Sequence, residues 1–591
     1  MSQEKKVASE SKVEVAKRRG RHLRGTIAET LVSEATHFNA DDIQLLKFHG
    51  TYQQDDRDAR RKRGGASDPG DADSDGAGAD AGKAYQFMIR AAIPAGVLTA
   101  EQYLSFDTLA GRYANDTLRV TTRQGFQFHG VAKGDLKATI AGVNHLLATT
   151  ISACGDVQRN VMGCAAPLHN GVHHEVHATA KALSAELRPQ SAAYYEIWLD
   201  GEKVVSTEPE EPFYGTQYLP RKFKTAIGLS TDNCVDIYAH DVGLLGVVDR
   251  GTIRGYNLLV GGGLGMTHNK GDTFAHLAEP LGFLAPEHAV EAVRTVAAIF
   301  RDHGNRVDRK QARLKYLLAS WGLERFRDEF RRRVSFELAD PVALPRLPYR
   351  DHLGRHPQGD GRWLYGIYIA SGRIADTANH KLRTALRDIV TLFRPGIRLT
   401  PQQNLLLTDL PAPALNEIES ILRGYGVALA PELTPVRRYA LACPALPTCG
   451  LAVAESERAL PDVLDRLESE LVTLGVAGTP ITVRMTGCPN GCARPYTADL
   501  AFVGRSLDLY NVYIGGGLAG DRVTDLYQGN VRRTDLIDAI RPLLTRWATE
   551  RESDEGLGDF YQRVLGRTEG RTVLTGRETP TAELVQIGAA P

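Results

Sequence analysis

The sequence repeats itself: three segments of the first half return, in the same order, in the second half. The later copies keep the apolar, arginine or glycine positions of the earlier ones; the pairs are FMIRAAIPAGVL from Phe87 and WLYGIYIASGRI from Trp363, LRVTTRQGFQF from Leu118 and IRLTPQQNLLL from Ile397, and YNLLVGGGLG from Tyr256 and YNVYIGGGLAG from Tyr510. Such a repeat implies two structurally equivalent halves. We expect the halves to pack face to face with a ligand at their junction, because pockets favour such interfaces.

The repeat is built from mixed secondary structure. Runs rich in β-branched and aromatic residues, such as Tyr85 to Ile89 and Tyr194 to Leu199, predict strands. A helix is predicted to begin near Pro286, with its apolar residues at helical spacing, and to end at Gly304. The sequence therefore predicts an α+β fold.

Four cysteines in the last third of the chain indicate a metal centre. Cys443 and Cys449 lie in ACPALPTCGLAVAE, and Cys488 and Cys492 lie in TGCPNGCARPY. The prolines and Gly491 of these loops cannot continue a helix, so the backbone is free to wrap around an inorganic cluster. Four thiolates suit a four-iron cluster. A zinc site or buried structural cysteines remain alternatives, although zinc sites more often use CxxC pairs.

Basic residues stand close together at two points of the sequence. A strand over LRVTTRQ would place Arg119, Thr121 and Arg123 on one face, where two cations repel each other unless an anion lies between them. YLPRKFKTAI carries a second cluster, formed by Arg221 with Lys222 and Lys224. These segments indicate an anionic ligand, and a solvated basic loop is the alternative for the second.

Composition narrows the class of protein. At 591 residues the chain predicts three or four domains. Lysine plus arginine equals aspartate plus glutamate, so no overall field points to nucleic acid or a membrane. The polar N-terminus and the lack of long apolar runs favour a cytoplasmic protein. The three remaining cysteines, Cys154, Cys164 and Cys234, make an odd total, which also suits a reducing compartment.

Residues 57–83 form a separate compositional segment. They include RRKRGG and DPGDADSDGAGADAG, which offer almost no apolar surface to bury. We expect a disordered insertion without a chemical role.

Longer motifs carry a resemblance. CPALPTCGLAVAESERALP and MTGCPNGCARPYTADLAFVG resemble the sulfite/nitrite reductase family, whose members bind siroheme and a [4Fe-4S] cluster. The match extends through DDIQLLKFHGTYQQDDRD, RVTTRQGFQFHG, DVQRNVMGC, YLPRKFKTAI, YNLLVGGGLG and GNRVDRKQARLKYLL. Motifs in one order over most of a chain are far more specific than one short pattern.

The resemblance implies a fold and a domain plan. The fold is the pseudo-two-fold repeated one, with a ferredoxin-like domain made from two segments and two α/β domains that bind siroheme and the cluster. The expected boundaries are an N-terminal extension over 1–84, the bipartite domain over 85–155 and 346–428, the first siroheme-binding domain over 156–345, and the second, cluster-binding domain over 429–591.

The resemblance also implies the reaction and its residues. The reaction is the assimilatory six-electron reduction of sulfite to sulfide at siroheme, which carries eight carboxylates. Sulfite would be held by Arg159, Lys222 and Lys224. The residues expected to bind siroheme or its surroundings are Arg90, Arg119, Arg123, Gln127, His129, Arg221, Gln403, Asn490 and Arg494. The four cysteines Cys443, Cys449, Cys488 and Cys492 would bind the cluster, with Cys492 also the axial ligand of the siroheme iron.

One position departs from the family pattern. Members of the enterobacterial type carry an arginine two positions after the equivalent of Arg90, where this chain has Ala92. The anion site would therefore have one cation fewer at this point.

Electrons must come from a partner protein. GGGLG and GGGLAG do not fit the GxGxxG pattern of a dinucleotide loop. The expected donor is a NADPH-dependent flavoprotein subunit or a ferredoxin.

Other functions remain open at the level of sequence. Siroheme nitrite reductase uses the same scaffold, and a non-catalytic iron-sulfur electron-transfer protein would need the cysteines alone. A zinc-stabilised nucleic-acid module is disfavoured by the zero net charge.

Overall fold

A computed structural model describes residues 10–62, 82–168, 171–190, 197–199, 202–205, 211–566, 571–577 and 580–581. Within these ranges the α-helices are α1 (Lys12–Arg19), α2 (Ile27–Val32), α3 (Ala40–Leu46), α4 (Arg57–Lys62), α5 (Ala100–Tyr113), α6 (Leu136–His145), α7 (Gly171–Glu186), α8 (Ala289–His303), α9 (Leu314–Trp321), α10 (Leu323–Arg333), α11 (Leu382–Phe393), α12 (Ala414–Gly424), α13 (Pro435–Arg438), α14 (Leu460–Thr473), α15 (Leu536–Glu550) and α16 (Leu557–Val564).

The strands lie mainly in four sheets. In the same ranges they are β1 (Thr51–Asp55), β2 (Tyr85–Arg90), β3 (Val97–Leu98), β4 (Leu118–Val120), β5 (Phe126–Val131), β6 (Met162–Gly163), β7 (Ile197–Leu199), β8 (Glu202–Val205), β9 (Thr225–Leu229), β10 (Val242–Asp249), β11 (Thr252–Val260), β12 (Phe274–His276), β13 (Glu279–Leu284), β14 (Gly354–Pro357), β15 (Trp363–Ile367), β16 (Arg373–Ile374), β17 (Gly396–Leu399), β18 (Leu405–Leu410), β19 (Ala440–Ala442), β20 (Val483–Thr486), β21 (Leu500–Ser506), β22 (Leu509–Ile514), β23 (Asp525–Arg532) and β24 (Val573–Thr575).

Two antiparallel sheets exchange one strand with each other. The first has the order β1-β2-β5-β4-β16, and the second has the order β14-β15-β18-β17-β3. The short strand β3 belongs by sequence to the first copy of the repeat but pairs with β17 of the second copy. Likewise, β16 belongs to the second copy but pairs with β4 of the first. The two copies are therefore interlocked, which confirms the predicted pseudo-two-fold repeat.

Two further sheets repeat a mixed topology. In one, β6, β9 and β10 are parallel and are followed by antiparallel β11 and β13. In the other, β19, β20 and β21 are parallel and are followed by antiparallel β22 and β23. In the repeated motif, the YN residues lie within the equivalent strands β11 and β22, and the GGG residues directly follow the end of each strand. β7 pairs with β8, and β12 pairs with β24, as separate two-stranded sheets.

The hydrophobic core follows this division. One continuous cluster of buried apolar side chains joins the two exchanged sheets to the sheet of β9–β11, and a second lies under β19–β23 with α14 and α15. The helix predicted from Pro286 begins as a short 3-10 turn, continues as α8 and ends at Gly304, as expected. In the described residues, no helix is long and apolar enough to cross a membrane.

The segment that was predicted to be disordered begins with a helix. Disorder was predicted to begin at residue 57, but residues 57–62 form α4, whose first residue Arg57 donates to the carbonyl oxygens of Pro447 and Ala452 at 3.1 and 3.0 Å and to that of Cys449. A prediction from polar composition misses this helix, because hydrogen bonds from Arg57 to backbone carbonyl groups, rather than apolar contacts, hold it in place. Residues 63–81 of the predicted insertion and 194–196 of the predicted strand lie outside the described residues; 197–199 form β7.

Candidate active site

The cysteine loops leave neighbouring parallel strands at the same edge of one sheet. Cys443 follows β19 directly, and Cys488 lies two residues beyond β20. The carboxyl ends of parallel strands share one edge, so both loops meet there. The backbone amide of Gly487 lies 3.4 Å from Cys443 Sγ, and Asn490 Nδ2 lies 3.5 Å from Cys488 Sγ. Asn490, predicted near the cofactor, thus contacts a cysteine sulfur.

The four sulfur atoms affect one another. Burial and then the Cys492 sulfur raise the pKa of Cys488 to about 12, and the same causes raise the pKa of Cys443 and of Cys449 above the ordinary value for a thiol. Cys492 is exposed, whereas Cys443 and Cys488 are buried. Thiols crowded in this way need a cation to ionise together, and a metal cluster provides it.

Two extended segments bring the predicted sulfite-binding cations together. Residues 157–159 run parallel to residues 223–225: the Phe223 amide donates to Val157 O at 3.1 Å, and the Arg159 amide donates to Phe223 O at 2.8 Å. Phe223 is buried, so Lys222 and Lys224 on either side of it share the opposite face. The Arg159 guanidinium donates to Gly155 O at 2.7 Å, which fixes its direction.

These cations repel one another. Burial, followed by the Arg221 and Arg313 guanidinium groups, lowers the pKa of Lys222 to about 7. Burial and then the Lys222 ammonium lower the pKa of Lys224 well below its ordinary value. The Cys492 sulfur has the opposite effect on Lys222, so the cysteine loop and the cationic cluster are electrostatic neighbours. We call Arg159, Lys222 and Lys224 with Arg123 the cationic cluster.

Arg123 does not lie on a strand. β4 ends at Val120, and Thr121 to Gly125 form a tight turn in which the Thr121 amide donates to Gly125 O at 2.9 Å. The prediction that Arg119, Thr121 and Arg123 share one strand face is therefore wrong, because the chain reverses into β5. Arg123 Nη2 donates to Asn160 O at 2.7 Å, and burial and Arg159 lower the pKa of Arg123 to about 9.

A polar row crosses three strands of the first sheet. Arg90 on β2 and Arg119 on β4 both lie opposite Gln127 on β5. The Gln127 amide oxygen accepts from Arg90 Nε at 2.9 Å, and its nitrogen lies 3.3 Å from His129 Nε2. Burial, followed by Arg373, lowers the pKa of His129 well below its ordinary value, so this imidazole is neutral. Arg90 Nη1 also donates to Cys154 Sγ at 3.1 Å.

Several predicted cofactor-binding residues join protein segments to the cysteine loops. Arg119 donates to Glu457 at 3.1 Å and to Ala442 O at 2.8 Å, and Gln403 Nε2 donates to the same carbonyl at 3.2 Å. Arg494 pairs with Asp236 and donates to the carbonyls of Thr122 and Pro401. Ala442 precedes Cys443, and Arg494 follows Cys492 by two residues. These contacts set the position of both loops from outside.

The sequence did not predict two further ion pairs of the site. Asp156 accepts both guanidinium nitrogens of Arg309 at 2.8 and 3.1 Å and lies 3.7 Å from Arg221, and Asp241 accepts Arg313 at 2.8 Å. Arg309 and Arg313 occur four residues apart in GNRVDRKQARLKYLL, and Asp156 opens DVQRNV. The four-residue spacing of the two arginines and the position of Asp156 in its motif are the sequence features that could have indicated these residues. The two aspartates partly balance the surrounding cations, and Arg221, which is paired with Asp156, adds to the effect of burial in lowering the pKa of Lys222.

Comparison with known proteins decides the family. The chain matches the nitrite and sulphite reductase 4Fe-4S domain over residues 178–338, and the nitrite/sulfite reductase ferredoxin-like half domain over 80–146 and 355–425. It is 44% identical to "Sulfite reductase [ferredoxin]" of Synechococcus elongatus, over 94% of this chain and 89% of that protein. It is 43% identical to "Sulfite reductase [NADPH] hemoprotein beta-component" of Geobacillus kaustophilus, over 94% and 95%. The chain belongs to the nitrite and sulfite reductase family.

A solved structure supports the fold independently. The NirA protein of Mycobacterium tuberculosis superposes with a TM-score of 0.76 at 24% identity, covering 93% of this chain and 96% of that one. The two-segment ferredoxin-like half domain agrees with the exchanged sheets described above. The matched 4Fe-4S domain lies in the first mixed sheet, while the four cysteines lie in the second, which repeats its topology. Domain boundaries at single residues stay predictions.

The family's cofactors, siroheme and a [4Fe-4S] cluster, fit the residues present. Four thiols converge on one sheet edge, as a cluster of four irons needs. Arg123 Nε, Gln403 Oε1 and the Nε and Nη1 atoms of Arg484 are buried without a hydrogen-bond partner in the part of the chain that the structure describes. The guanidinium nitrogens of Arg123 and Arg484 are buried donors, which suit a ligand rich in carboxylates, whereas Gln403 Oε1 is a buried acceptor.

Proposed function

We propose that the protein reduces sulfite to sulfide, and that Arg159, Lys222 and Lys224 hold the substrate anion. The observation that carries the proposal is the cationic cluster beside the exposed sulfur of Cys492, between the two copies of the repeat. When bound, siroheme and the cluster would supply the redox chemistry of the reduction. Both relatives named above are sulfite reductases, which supports this choice of substrate.

The cationic cluster has two tasks in this proposal. Fixed cations in a water-poor site bind a small oxyanion and stabilise the negative charge that each electron adds. Reduction of one sulfite to hydrogen sulfide ion and three waters also consumes six electrons and seven protons. Lys222, with a pKa of about 7, is suited to give up a proton near neutral pH and to take another from solvent.

The cysteine loops complete the site. In the proposal all four cysteines would hold the cluster, and Cys492, the exposed one, would also be a ligand of siroheme. Arg90, Gln127 and His129, with Arg123, bind or orient the siroheme carboxylates. Arg119, Gln403 and Arg494 position the cysteine loops rather than the substrate. Asn490 supports the Cys488 sulfur.

The electron donor is a separate protein. The relatives are named for ferredoxin or for NADPH, and this chain carries no dinucleotide loop of the GxGxxG type in its GGG motifs. We propose a ferredoxin or a NADPH-dependent flavoprotein as the donor. A cytoplasmic location is our prediction, favoured by the odd total of seven cysteines, which suits a reducing compartment.

Steady-state kinetics of full-length, cofactor-loaded protein with reduced methyl viologen test the proposal. Lys222→Met and Lys224→Met should each lower kcat/KM for sulfite at least about 100-fold, since each removes one cation from the site. Lys137→Met, at an exposed position of α6, is the matched control and should leave kcat/KM unchanged. Activity of either site variant within about twofold of the parent would refute the assigned roles.

The substrate itself is tested by comparing sulfite and nitrite with the same donor. We expect a higher kcat/KM for sulfite, with sulfide as product. A clear preference for nitrite would instead identify a siroheme nitrite reductase.

Cys492→Ser tests the coupling of the two cofactors. We expect loss of sulfite reduction and loss of magnetic coupling between the cluster and the siroheme iron, measured by electron paramagnetic resonance. The parent should contain about five iron atoms per chain. Full activity of Cys492→Ser would contradict the role of this sulfur.

A further inference from the structure

A second group of metal-binding side chains lies outside the active site. Cys164, Asp232, Cys234 and His352 are all buried, and their ligand atoms all lie within 4.8 Å of one another. Cys164 follows β6, Asp232 and Cys234 lie in the turn after β9, and His352 precedes β14. Three distant segments of the chain thus meet at one point. None of these residues takes part in the proposed reaction.

The four ligand atoms lie nearly close enough together to share one metal ion, within 4.8 Å of one another. Cys164 Sγ lies 3.5 Å from Asp232 Oδ2, and His352 Nε2 lies 2.7 Å from the same oxygen. Around zinc, with metal-sulfur bonds of about 2.3 Å and metal-nitrogen or metal-oxygen bonds of about 2.0 Å, neighbouring ligand atoms are roughly 3.3 to 3.8 Å apart. The sulfur to oxygen distance falls in this range, whereas the imidazole nitrogen lies closer to the carboxylate oxygen than two ligands of one zinc ion do, so these two groups would separate when zinc binds.

Surrounding contacts hold these side chains in place. The Cys234 amide donates to Asp232 Oδ1 at 3.1 Å, which leaves Oδ2 to point at the other three ligands. His173 Nε2 lies 3.7 Å from Cys164 Sγ, the position of a donor to a metal-bound thiolate. The turn at Asp232 is closed by hydrogen bonds of 3.1 and 3.2 Å with Leu229.

We propose that Cys164, Asp232, Cys234 and His352 bind one zinc ion. Two sulfurs, one imidazole nitrogen and one carboxylate oxygen match the ligand types of structural zinc sites. Four protein ligands and full burial leave no open position for a substrate, so the role is structural. Without a metal ion, the His352 imidazole, 2.7 Å away, is the group that balances the buried Asp232 carboxylate. A zinc ion would take over that role and would bind the two cysteine sulfurs as well.

The zinc ion would stabilise a turn that reaches the active site. The same turn continues to Asp236, which pairs with Arg494 beyond the Cys492 loop. In this turn the backbone amide of Asn233 donates to Pro348 O at 2.8 Å, and its side-chain Nδ2 donates to Ala519 O at 2.9 Å. Zinc would thus fasten the 232–236 turn to the segment that connects the two copies of the repeat.

Zinc analysis of the full-length, cofactor-loaded protein tests the proposal. Protein without an affinity tag, purified without chelator, should contain about one zinc per chain by mass spectrometry of the elements. X-ray absorption at the zinc edge is blind to the iron of the cofactors. It should show two sulfur ligands at about 2.3 Å and two nitrogen or oxygen ligands at about 2.0 Å.

Two variants and a matched control extend the test. His352→Gln and Cys234→Ser should lower the zinc content at least about tenfold after dialysis, because each removes a ligand. His356→Gln alters a neighbouring histidine, whose ring centroid lies 6.5 Å from that of His352, and should keep the zinc. If the ligand variants fail to fold, the absorption spectrum of the parent protein still decides.

Several results would overturn the proposal. One is a parent protein with less than about 0.1 zinc per chain after incubation with equimolar zinc. Another is a Cys164 to Cys234 disulfide found by peptide mapping. A metal other than zinc at these ligands, or a zinc spectrum without sulfur, would equally refute it.

Discussion

At the scale of single residues, the main feature of the site is charge that the protein alone does not balance. In addition to burial, Lys222 and Arg123 both lower the pKa of Lys224. The pKa values of Lys222 and Arg123 are in turn lowered by burial and by neighbouring arginines. Asp241 reduces this repulsion, and it is itself shared with Arg313. Such a cluster stores unfavourable energy that an anionic ligand relieves on binding.

The stability of the cofactor-free protein should therefore increase with pH. The pKa of Lys222 is about 7 in the folded chain and about 10.5 when unfolded, so between these values the unfolded chain binds more protons. Its contribution should raise the free energy of unfolding by about 0.5 to 1 kcal/mol per pH unit between pH 7 and 9. Protein made in a strain unable to synthesise siroheme can be unfolded by heat across this range. At higher pH the raised pKa values of the Cys443, Cys449 and Cys488 thiols act in the opposite sense.

The control for this prediction is Lys222→Met. It should reduce the pH dependence and raise the melting temperature at pH 7, whereas Lys137→Met should change neither. A cofactor-free parent whose stability falls as pH rises from 7 to 9 would contradict the prediction.

Much of this residue-level picture could be predicted from the sequence, and part of it could not. The four cysteines and the three cations proposed to hold sulfite stand in motifs specific enough to be named. Asp156 and Glu457 stand in the same motifs, yet their partners Arg309 and Arg373 are 153 and 84 residues away in sequence. Pairings over such distances depend on tertiary structure, which residue spacing does not reveal.

At the scale of elements, the exchanged strands depend on glycines in left-handed turns. Gly96 precedes β3 with φ of +71°, and Gly372 precedes β16 with φ of +77°. A methyl group at Gly96 would overlap the carbonyl oxygen of Leu399, and one at Gly372 would overlap that of Val120. Each turn therefore needs glycine both for its conformation and for the close approach of the other copy.

Gly96→Ala should destabilise the protein more than its backbone conformation alone explains. We expect a loss of about 2 to 4 kcal/mol in the free energy of unfolding, from strain plus steric overlap. Gly359→Ala is the control: its φ is +97°, but nothing lies within 4 Å of the added methyl, so only about 1 kcal/mol should be lost. Equal losses, measured by chemical denaturation, would show that the close approach is unimportant.

Helix α4 should protect the iron-sulfur cluster. Arg57 holds three carbonyl groups of the loop between Cys443 and the end of the cysteine motif. Arg57→Gln should loosen this loop and shorten the half-life of the cluster in air several-fold, measured by loss of acid-labile sulfide. Arg61→Gln, which removes an exposed side chain paired within α4 to Asp58, should leave the half-life unchanged.

At the scale of the whole molecule, buried ion pairs join the domains. Asp236 of the first mixed-sheet domain pairs with Arg494 of the second, and Arg484 Nη2 lies 3.9 Å from the same carboxylate. All three side chains are buried. Removing one partner of such a pair leaves uncompensated charge, which is strongly destabilising.

Asp236→Asn should lower the free energy of unfolding by about 3 kcal/mol or more and weaken retention of the cofactors. Asp521→Asn removes one partner of a pair with Arg346 whose side chains are 43% (Arg346) and 32% (Asp521) exposed, and should cost about 1 kcal/mol or less. Thermal unfolding of both variants measures the two losses of stability, and Asp236→Asn should have the lower melting temperature. Indistinguishable melting temperatures would show that the buried pair contributes no more than the exposed one.

The exchange of β3 and β16 also bears on how the chain is made. The first sheet lacks its edge strand until residues 373–374 have left the ribosome, and the second cannot close until β18 at 405–410 has followed. Nascent chains that stop before this point carry unpaired sheet edges, which invite association between neighbours on one messenger RNA. Synthesis through the middle of the gene is thus the stage at which this protein most needs chaperones.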